Sequence, residues 1–254
     1  WNDMKIIIEY GMLTEDKFFD KAKKFAMYSD TDGGLHTFDA YLESIKEHQT
    51  DKDKKTVVLY ASNKEAQHSY IQNAKSKGYS VLLLDSPLTS HLLQKLEQEH
   101  ENTTFARVDS DLIDNLIKKD ETRVAKLSDK QKEELKTRLE TIVPTEKFTL
   151  KLEDMDSTEA PLVITVPEFM RRMKEMQMTG GGGMMGMGDF PDMYDLIVNA
   201  NHPLASKILD TEDADARGSA VNQALDLAKL QQNLLHGEEL TAFIARSYEM
   251  LGNE

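Results

Sequence analysis

The sequence predicts an α+β protein, because two hydrophobic periodicities alternate along the chain. In residues 1–50, apolar residues recur three and four positions apart, which is typical of helices. In residues 56–108, short continuous apolar runs alternate with helical patterns, which predicts a small parallel sheet within a three-layer α/β/α unit. The expected order is a helical segment, the α/β/α unit, and an α+β domain that ends in a helical hairpin over residues 213–251.

The first 50 residues are predicted to form three helices. The first ends before Gly11, and the others span residues 16–27 and 37–48. The apolar face of the first helix would be formed by Trp1, Met4, Ile7 and Ile8. Because the chain opens on Trp1 without a methionine, we expect it to begin inside a longer protein.

The α/β/α unit would contain three strands, in the segments TVVLY from Thr56, YSVLLLD from Tyr79 and TTFARVD from Thr103. Helices are expected between them, over residues 63–77 and 88–96. The turn after the first strand reads ASNKEA and lacks the glycine-rich pattern of a dinucleotide site. The alternative remains a small-molecule enzyme or ligand-binding domain that uses the sheet of residues 56–108.

The second half begins with a charge-dense segment, residues 109–129, which we interpret as a hinge between two domains. A helix is predicted from Ser128 to Val143, closed by Pro144. The segments FTLKLEDM and APLVITV then predict two strands. Two short apolar segments follow, on either side of the turn NANHP.

A helix rich in methionine is predicted after the second of these strands. Thr165 and Glu168 have capping-box spacing, and the glycines of residues 180–183 would end the helix. One face would carry Phe169, Met170, Met173 and Met176, and the other Arg171, Arg172, Lys174 and Glu175. The apolar stripe would suit a packed core or an adaptable contact surface. Because eight of the 13 methionines lie in residues 170–193, we favour the contact surface.

The terminal hairpin, residues 213–251, carries apolar residues over an arc too wide for two helices to bury against each other. We expect the same hairpin of a second copy to cover this surface. The predicted dimerisation residues are Val221, Leu225, Ala228, Leu235, Phe243, Ile244 and Leu251.

Composition and motifs exclude several functional classes. The formal charge of −14 opposes binding to nucleic acid or to an anionic membrane, and no apolar run reaches the length of a transmembrane helix. The chain has no cysteine, and its seven histidines lack the spacing of a zinc site. The acidic turn at Asp30 and Asp32 lacks the glycine and glutamate of a calcium loop. We therefore expect no metal, no nucleic acid, no membrane and no active site.

An ordered series of blocks resembles the ninety-kilodalton heat-shock chaperones, in their bacterial type, over essentially the whole chain. The blocks are IIIEYGMLTEDKFFDKAKKFAMYSDTDG, KGYSVLLLDSPLTSHLLQKL, APLVIT, NANHPL and the terminal hairpin. The resemblance implies that residues 1–110 are the C-terminal part of a middle domain, helical in 1–50 and α/β in 51–110. Residues 111–254 would be the C-terminal dimerisation domain.

The resemblance also implies a function, that of an ATP-dependent molecular chaperone. ATP and Mg would bind in an amino-terminal domain that this segment lacks, so the segment itself would hold no cofactor and would not hydrolyse ATP. The implied partners are a second copy in a homodimer, unfolded or partly folded client proteins, and cochaperones. The ending LGNE carries no endoplasmic-reticulum retention signal, and the expected location is the bacterial cytoplasm.

Two client-binding segments are implied by the same resemblance. One is the helix over residues 90–96, with His91 and Gln94. The other is the methionine-rich helix, where Phe169, Met173 and Met176 would contact client proteins; the helical spacing of the stripe adds Met170 to this set.

Overall fold

The computed structural model describes residues 1, 3–119, 123–179 and 193–252. Up to residue 120 the elements are α1 (Lys5–Thr14), α2 (Asp16–Ala22), β1 (Met27–Ser29), β2 (Leu35–Thr37), α3 (Phe38–Ile45), β3 (Thr56–Ala61), α4 (His68–Ser76), β4 (Val81–Leu83), α5 (Thr89–Glu99), β5 (Thr103–Arg107) and α6 (Ile113–Leu116). The later elements are α7 (Asp129–Glu140), β6 (Phe148–Glu153), β7 (Leu162–Thr165), α8 (Glu168–Thr179), β8 (Tyr194–Asn199), α9 (Pro203–Asp210), α10 (Ala214–Gln231) and α11 (Gly237–Gly252). The predicted α+β class is confirmed.

These elements form two compact units. Unit 1 contains the described residues of Trp1–Asp120 and Val166–Phe190, and unit 2 those of Glu121–Thr165 and Pro191–Glu254. The units differ from the predicted division at residue 110, because α6 and α8 both fold with unit 1. The assignment of residues 1–110 and 111–254 to two family domains stays a prediction.

Unit 1 is built on a parallel sheet with the strand order β4-β3-β5, as predicted. Strand β3 is central, and its residues Val57–Ala61 are completely buried because helices cover both faces of the sheet. Val58 and Tyr60 belong to the larger apolar cluster, which includes residues of α1, α2, α3 and α5. Val57 and Leu59 belong to the cluster that includes residues of α4 and α6. The predicted three layers are therefore present.

The first helix does not end at Gly11, as the sequence suggested, but continues to Thr14. A Cβ atom at Gly11 would lie 2.8 Å from the Phe18 ring, so this glycine permits the close approach of α1 and α2. Met12 is buried and Ile8 is partly buried against the core, whereas Met4 and Ile7 are exposed.

The prediction that the first 50 residues are entirely helical is wrong, because β1 and β2 form an antiparallel hairpin within them. Asp30 shapes its turn: Oδ1 accepts hydrogen bonds from the backbone N–H of Asp32 and Gly34, both at 2.8 Å. Its other oxygen lies 2.7 Å from His36 Nε2. The acidic turn that resembled a calcium loop is thus a hydrogen-bonded hairpin turn.

Unit 2 contains a mixed sheet with the order β6-β8-β7, in which β8 is parallel to β6 and antiparallel to β7. Helix α7 begins at the Ser128 capping box with Gln131, close to the predicted start. Helix α10 packs on β7, and the two elements share one apolar core with α7 and α9. The predicted terminal hairpin is present as α10 and α11.

The turn NANHP joins three separate segments of unit 2 through Asn201. The side-chain amide of Asn201 donates to the carbonyls of Val124 and Met155, both at 2.9 Å, and its oxygen accepts from Lys126 N–H at 2.8 Å. His202 then caps α9 through Nδ1, which accepts from Leu204 N–H at 3.0 Å. The polar turn is therefore a structural junction.

Candidate functional site

Within unit 1, the methionine-rich helix α8 packs on β3, β5 and α5 through its charged face. Glu168 lies at the centre of this contact, where Oε1 accepts from Tyr60 Oη at 3.0 Å, Arg171 Nη2 at 2.6 Å and Arg172 Nε at 2.7 Å. Its second oxygen accepts from Arg107 N–H at 3.3 Å. The carboxylate thus connects α8 to strands β3 and β5.

The two arginines of α8 extend the contact in different directions. Arg171 is only 7% exposed; it donates to the Tyr60 hydroxyl, and its Nη1 lies 2.5 Å from Glu175 Oε1. Arg172 donates to both oxygens of Glu97 on α5, at 3.0 and 3.3 Å, and to the backbone carbonyl of Phe105 at 2.9 Å. Guanidinium groups can satisfy several acceptors at once, so the face is well suited to a partly buried ionic contact.

Burial and ion pairing compete for the Glu168 carboxyl. Burial acts to raise its pKa, but the charges of Arg171 and Arg172 outweigh that effect and lower the pKa below its usual value. For Tyr60, burial and the nearby Glu168 charge both raise the pKa of the hydroxyl. The contact therefore contains an ionised carboxylate and a neutral tyrosine near neutral pH.

The apolar stripe of α8 lies largely outside this contact. Phe169 is 71% exposed and Met173 39% exposed, whereas Met170 and Met176 are half-buried. Among the described residues, none of these four side chains belongs to a buried core cluster. The glycines of residues 180–183, which were predicted to end the helix, lie outside the described residues.

The predicted capping box of α8 is wrong. Thr165 is the last residue of β7, and its buried Oγ1 has no hydrogen-bond partner among the described residues. The carboxylate of Glu168 is already engaged by Tyr60 and by two arginines. Tertiary contacts have taken the place of the local cap.

Helix α5 carries the other predicted client-binding residues, and it contacts α8. Ser90 Oγ donates to Glu175 Oε2, and Glu97 binds Arg172 two turns further along the helix. Gln94 lies between these two positions in sequence and is exposed, and His91 is half-buried. The structure therefore brings together two segments that are far apart in the sequence.

The sequence did not indicate Tyr60 or Glu97 as contacts of α8, and it assigned Glu168 to a helix cap. One signal was available: Glu168, Arg171, Arg172 and Glu175 have the i, i+3, i+4, i+7 spacing of a single helix face. Mixed charges in that spacing suit a docked face as well as a solvated one. The partners on α5 and β3 had no local signal.

The terminal hairpin divides the predicted dimerisation residues into two groups. Helix α10 buries Val221, Leu225 and Ala228 in the core of unit 2, and Leu235 after it is also buried. The expectation that a partner must cover these four needs correction, because the chain's own core covers them. On α11, Phe243 is half-buried, whereas Ile244 and Leu251 are exposed.

Further exposed apolar side chains extend the surface of the hairpin: Leu227, Leu230, Tyr248 and Met250. Helices α10 and α11 are joined by a hydrogen bond and by ion pairs. Arg246 donates to Gln223 Oε1 at 2.9 Å and pairs with Asp226, and Lys229 pairs with Glu239 at 3.2 Å. The hairpin is thus fixed internally, while an apolar surface remains uncovered on it.

In the loop after β3, side chains occupy four of the backbone donors that could otherwise cradle a phosphate. Gln67 Oε1 accepts from the N–H groups of Ser62 at 2.8 Å and Asn63 at 3.0 Å, and Asn63 Oδ1 accepts from Glu65 and Ala66. These hydrogen bonds leave few backbone donors for a nucleotide phosphate at this strand end. In the part of the chain that the structure describes, no cluster of three or more His, Asp or Glu residues could hold a metal ion.

Comparison with known proteins gives the family. The family model described as Hsp90 protein matches residues 1–252. The chain belongs to the Hsp90 family. Among curated relatives, the chaperone protein HtpG of Bacteroides fragilis strain 638R is 35% identical over a 318-residue alignment that covers 99% of this chain and 46% of the relative. HtpG of Porphyromonas gingivalis strain ATCC 33277 is 41% identical over 234 residues, which cover 91% of this chain and 34% of the relative.

The Hsp90-family chain is thus of the bacterial HtpG type, as its sequence blocks suggested. It spans less than half the length of these relatives. Within the described residues, no helix has both the length and the apolar character needed to cross a membrane.

Proposed function

We propose that this chain is the client-binding and dimerising segment of a bacterial HtpG-type chaperone. One observation carries the proposal: α8 is anchored through its charged face, which leaves Phe169 and Met173 exposed to solvent. Exposed apolar groups on an otherwise anchored helix can bind apolar segments of non-native proteins without first leaving a core. Methionine, which is flexible and polarizable, suits partners of varied shape.

Helix α5 supplies the polar border of the proposed surface. Gln94 is exposed and His91 half-buried, on a helix that α8 contacts directly. A surface with an apolar centre and polar side chains beside it can bind the side chains of an unfolded segment and hydrogen-bond its backbone. His91 and Gln94 are therefore proposed as client contacts, together with Phe169, Met170, Met173 and Met176.

Homodimerisation is proposed through the exposed surface of the α10–α11 hairpin. Ile244 and Leu251, with Leu227, Leu230 and Tyr248, offer several large apolar side chains, and burial stabilises by roughly 1.5–3 kcal/mol for each side chain fully buried. Two such hairpins can pack as a four-helix bundle around a twofold axis. The residues already buried in the single chain would support the interface from beneath.

In the whole protein, ATP and Mg²⁺ would bind outside this segment, and the segment would not itself hydrolyse ATP. The homology of the chain to HtpG supports this division of labour and a cytoplasmic location. Cochaperones are further proposed partners. The competing function, a ligand site on the sheet of residues 56–108, is disfavoured because Gln67 already occupies the backbone N–H groups of Ser62 and Asn63.

The test is the double variant Phe169→Ser/Met173→Ser, with Met4→Ser as control because Met4 is an exposed methionine at the N-cap of α1. Because both stripe residues are exposed, we expect the free energy of unfolding to change by no more than about 0.5 kcal/mol. Affinity for a permanently unfolded, carboxymethylated model protein should fall in the double variant alone. A loss of several kcal/mol in stability, with unchanged affinity per folded molecule, would show instead that the stripe is a structural core.

A further inference from the structure

Helices α5 and α8 are joined by contacts that link residues distant in the sequence. Arg172 binds the Glu97 carboxylate and the Phe105 carbonyl, and Ser90 donates to Glu175. All of these contacts are polar. Hydrogen bonds and charge, which are directional, therefore constrain the orientation of α8 on α5.

We propose that Glu97 and Arg172 are positioning residues, which fix the rotation of α8 so that Phe169, Met173 and the α5 residue Gln94 present one continuous surface to apolar segments of a non-native polypeptide. This inference rests on the proposed function of that surface. Neither Glu97 nor Arg172 is itself a client contact in this arrangement. Their role is to hold two helices in register.

The Glu97 carboxylate is well placed for this role because strand β5 fixes it. Its Oε1 accepts from Phe105 N–H at 2.9 Å as well as from Arg172 Nη2 at 3.3 Å, and Oε2 accepts from Arg172 Nη1 at 3.0 Å. The paired arrangement of guanidinium and carboxylate constrains direction as well as distance. Both side chains are mostly buried, since Arg172 is 17% exposed and Glu97 is 25% exposed. Solvent therefore screens this ion pair less than it screens a pair on the surface.

Helical geometry explains why this pair controls the presentation of the stripe. Successive residues of an α-helix are about 100° apart around its axis. A rotation of α8 by one residue would carry Arg172 away from Glu97 and would change the side of α8 on which Phe169 and Met173 lie. The ionic contact thus selects the orientation in which the stripe stays exposed.

The experiment is a double-mutant cycle with Glu97→Gln, Arg172→Gln and both substitutions in the full chain. Each single variant should accelerate hydrogen exchange at the α8 amides about tenfold, because a charged hydrogen-bond pair is lost. Each should also weaken binding of the carboxymethylated model protein several-fold. Because the two residues act through each other, the double variant should be no worse than Arg172→Gln, which also loses the contacts of Arg172 with Glu168 and Phe105.

The matched control is Glu99→Gln, the same substitution on the same helix. Glu99 pairs with Lys23 at 2.9 Å and, among the described residues, forms no hydrogen bond or ion pair with α8, so α8 exchange and client affinity should stay at wild-type values. Exchange in β3 should be unchanged in all variants. This pattern separates loss of helix position from general destabilisation, and Arg172→Gln provides the test independently if Glu97→Gln does not fold.

Three results would overturn the inference. The first is unchanged α8 exchange in both single variants. The second is faster α8 exchange with unchanged client affinity, while the Phe169→Ser/Met173→Ser variant does lose affinity; the positioning role then fails and the proposed function stands. The third is full client affinity in the Phe169→Ser/Met173→Ser variant itself, which identifies the proposed function as the step that failed.

Discussion

Substitution of Glu168 by Gln should destabilise the docking of α8 because two arginines lose their shared counter-charge. Glu168 Oε1 accepts from Arg171 at 2.6 Å and from Arg172 at 2.7 Å, and the carboxylate is 23% exposed. Removing one partner from a buried ion pair costs about 3–5 kcal/mol. Arg171 keeps Glu175 and Arg172 keeps Glu97, so we expect a smaller loss of about 2 kcal/mol.

The pH dependence of the same variant gives a second, independent result. The pKa of Glu168 is lowered in the folded chain, since the nearby arginine charges outweigh the effect of burial. A carboxylate with a lowered folded pKa stabilises the protein above its unfolded pKa, here 4.5, and this stabilisation is lost as the pH falls through the folded pKa. Glu168→Gln should therefore lose its stability difference from the wild type as the solution is made more acidic than about pH 4.5.

The assay is urea unfolding with hydrogen exchange at α8, at neutral pH and along an acid series. Glu134→Gln is the control, because Glu134 forms an exposed pair with Arg138 at 2.7 Å on α7. Such a surface pair contributes about 0–1 kcal/mol. If Glu168→Gln costs no more than Glu134→Gln at neutral pH, the charged face does not anchor α8. A stability difference that persists unchanged at acid pH would refute the titration argument.

Two further predictions concern the dimer and the sheet. Ile244→Asp and Leu251→Asp should convert dimers to monomers without unfolding, whereas Leu225→Asp should unfold unit 2 because Leu225 is buried in its core. Size-exclusion chromatography with light scattering, together with thermal melting, distinguishes these outcomes, and intact dimers in the first two variants would place the interface elsewhere. Titration calorimetry with nucleotides and dinucleotides should show no saturable binding, since Gln67 occupies the backbone N–H groups of Ser62 and Asn63 after β3. A micromolar dissociation constant at one site would restore the ligand-binding alternative.

The parallel sheet could be predicted because its strands leave a strong local pattern. Residues 57–60 are a continuous apolar run, and the structure buries them between two helical layers. The hairpin β1–β2 could not be predicted in the same way. Its strands are three residues each, and the adjoining Phe18, Phe19 and Ala22 continue a helical pattern that masks the change of period.

The candidate site was predictable only in part. The spacing of Phe169, Met170, Met173 and Met176 indicated an amphipathic helix, and the choice of methionine indicated an adaptable surface. The buried face was assigned less well, since charged residues normally mark the solvated side of a helix. Arg171 and Arg172 are buried because Tyr60 and Glu97 meet them, and such pairings between distant segments have no signature in periodicity.

On the terminal helices, periodicity identified apolar residues but not what covers them. Val221 and Leu225 pack on the core of the same chain, while Ile244 and Leu251 stay exposed. Helical spacing alone is the same for both groups. Only the placement of β7 beside α10 separates them.

The central position of β8 has a consequence for how unit 2 folds. Strands β6 and β7 are synthesised first, but each pairs with β8, which begins at Tyr194, after the whole of α8 has been made. Until then each lacks the neighbour with which it pairs in this sheet. On a ribosome, unit 2 must therefore wait for its middle strand, and a nascent chain that stalls before Tyr194 should expose both strands as templates for aggregation. Chains released at residue 193 should therefore aggregate, whereas the full chain, which contains β8 and the helix α10 that packs on β7, should resist protease in unit 2.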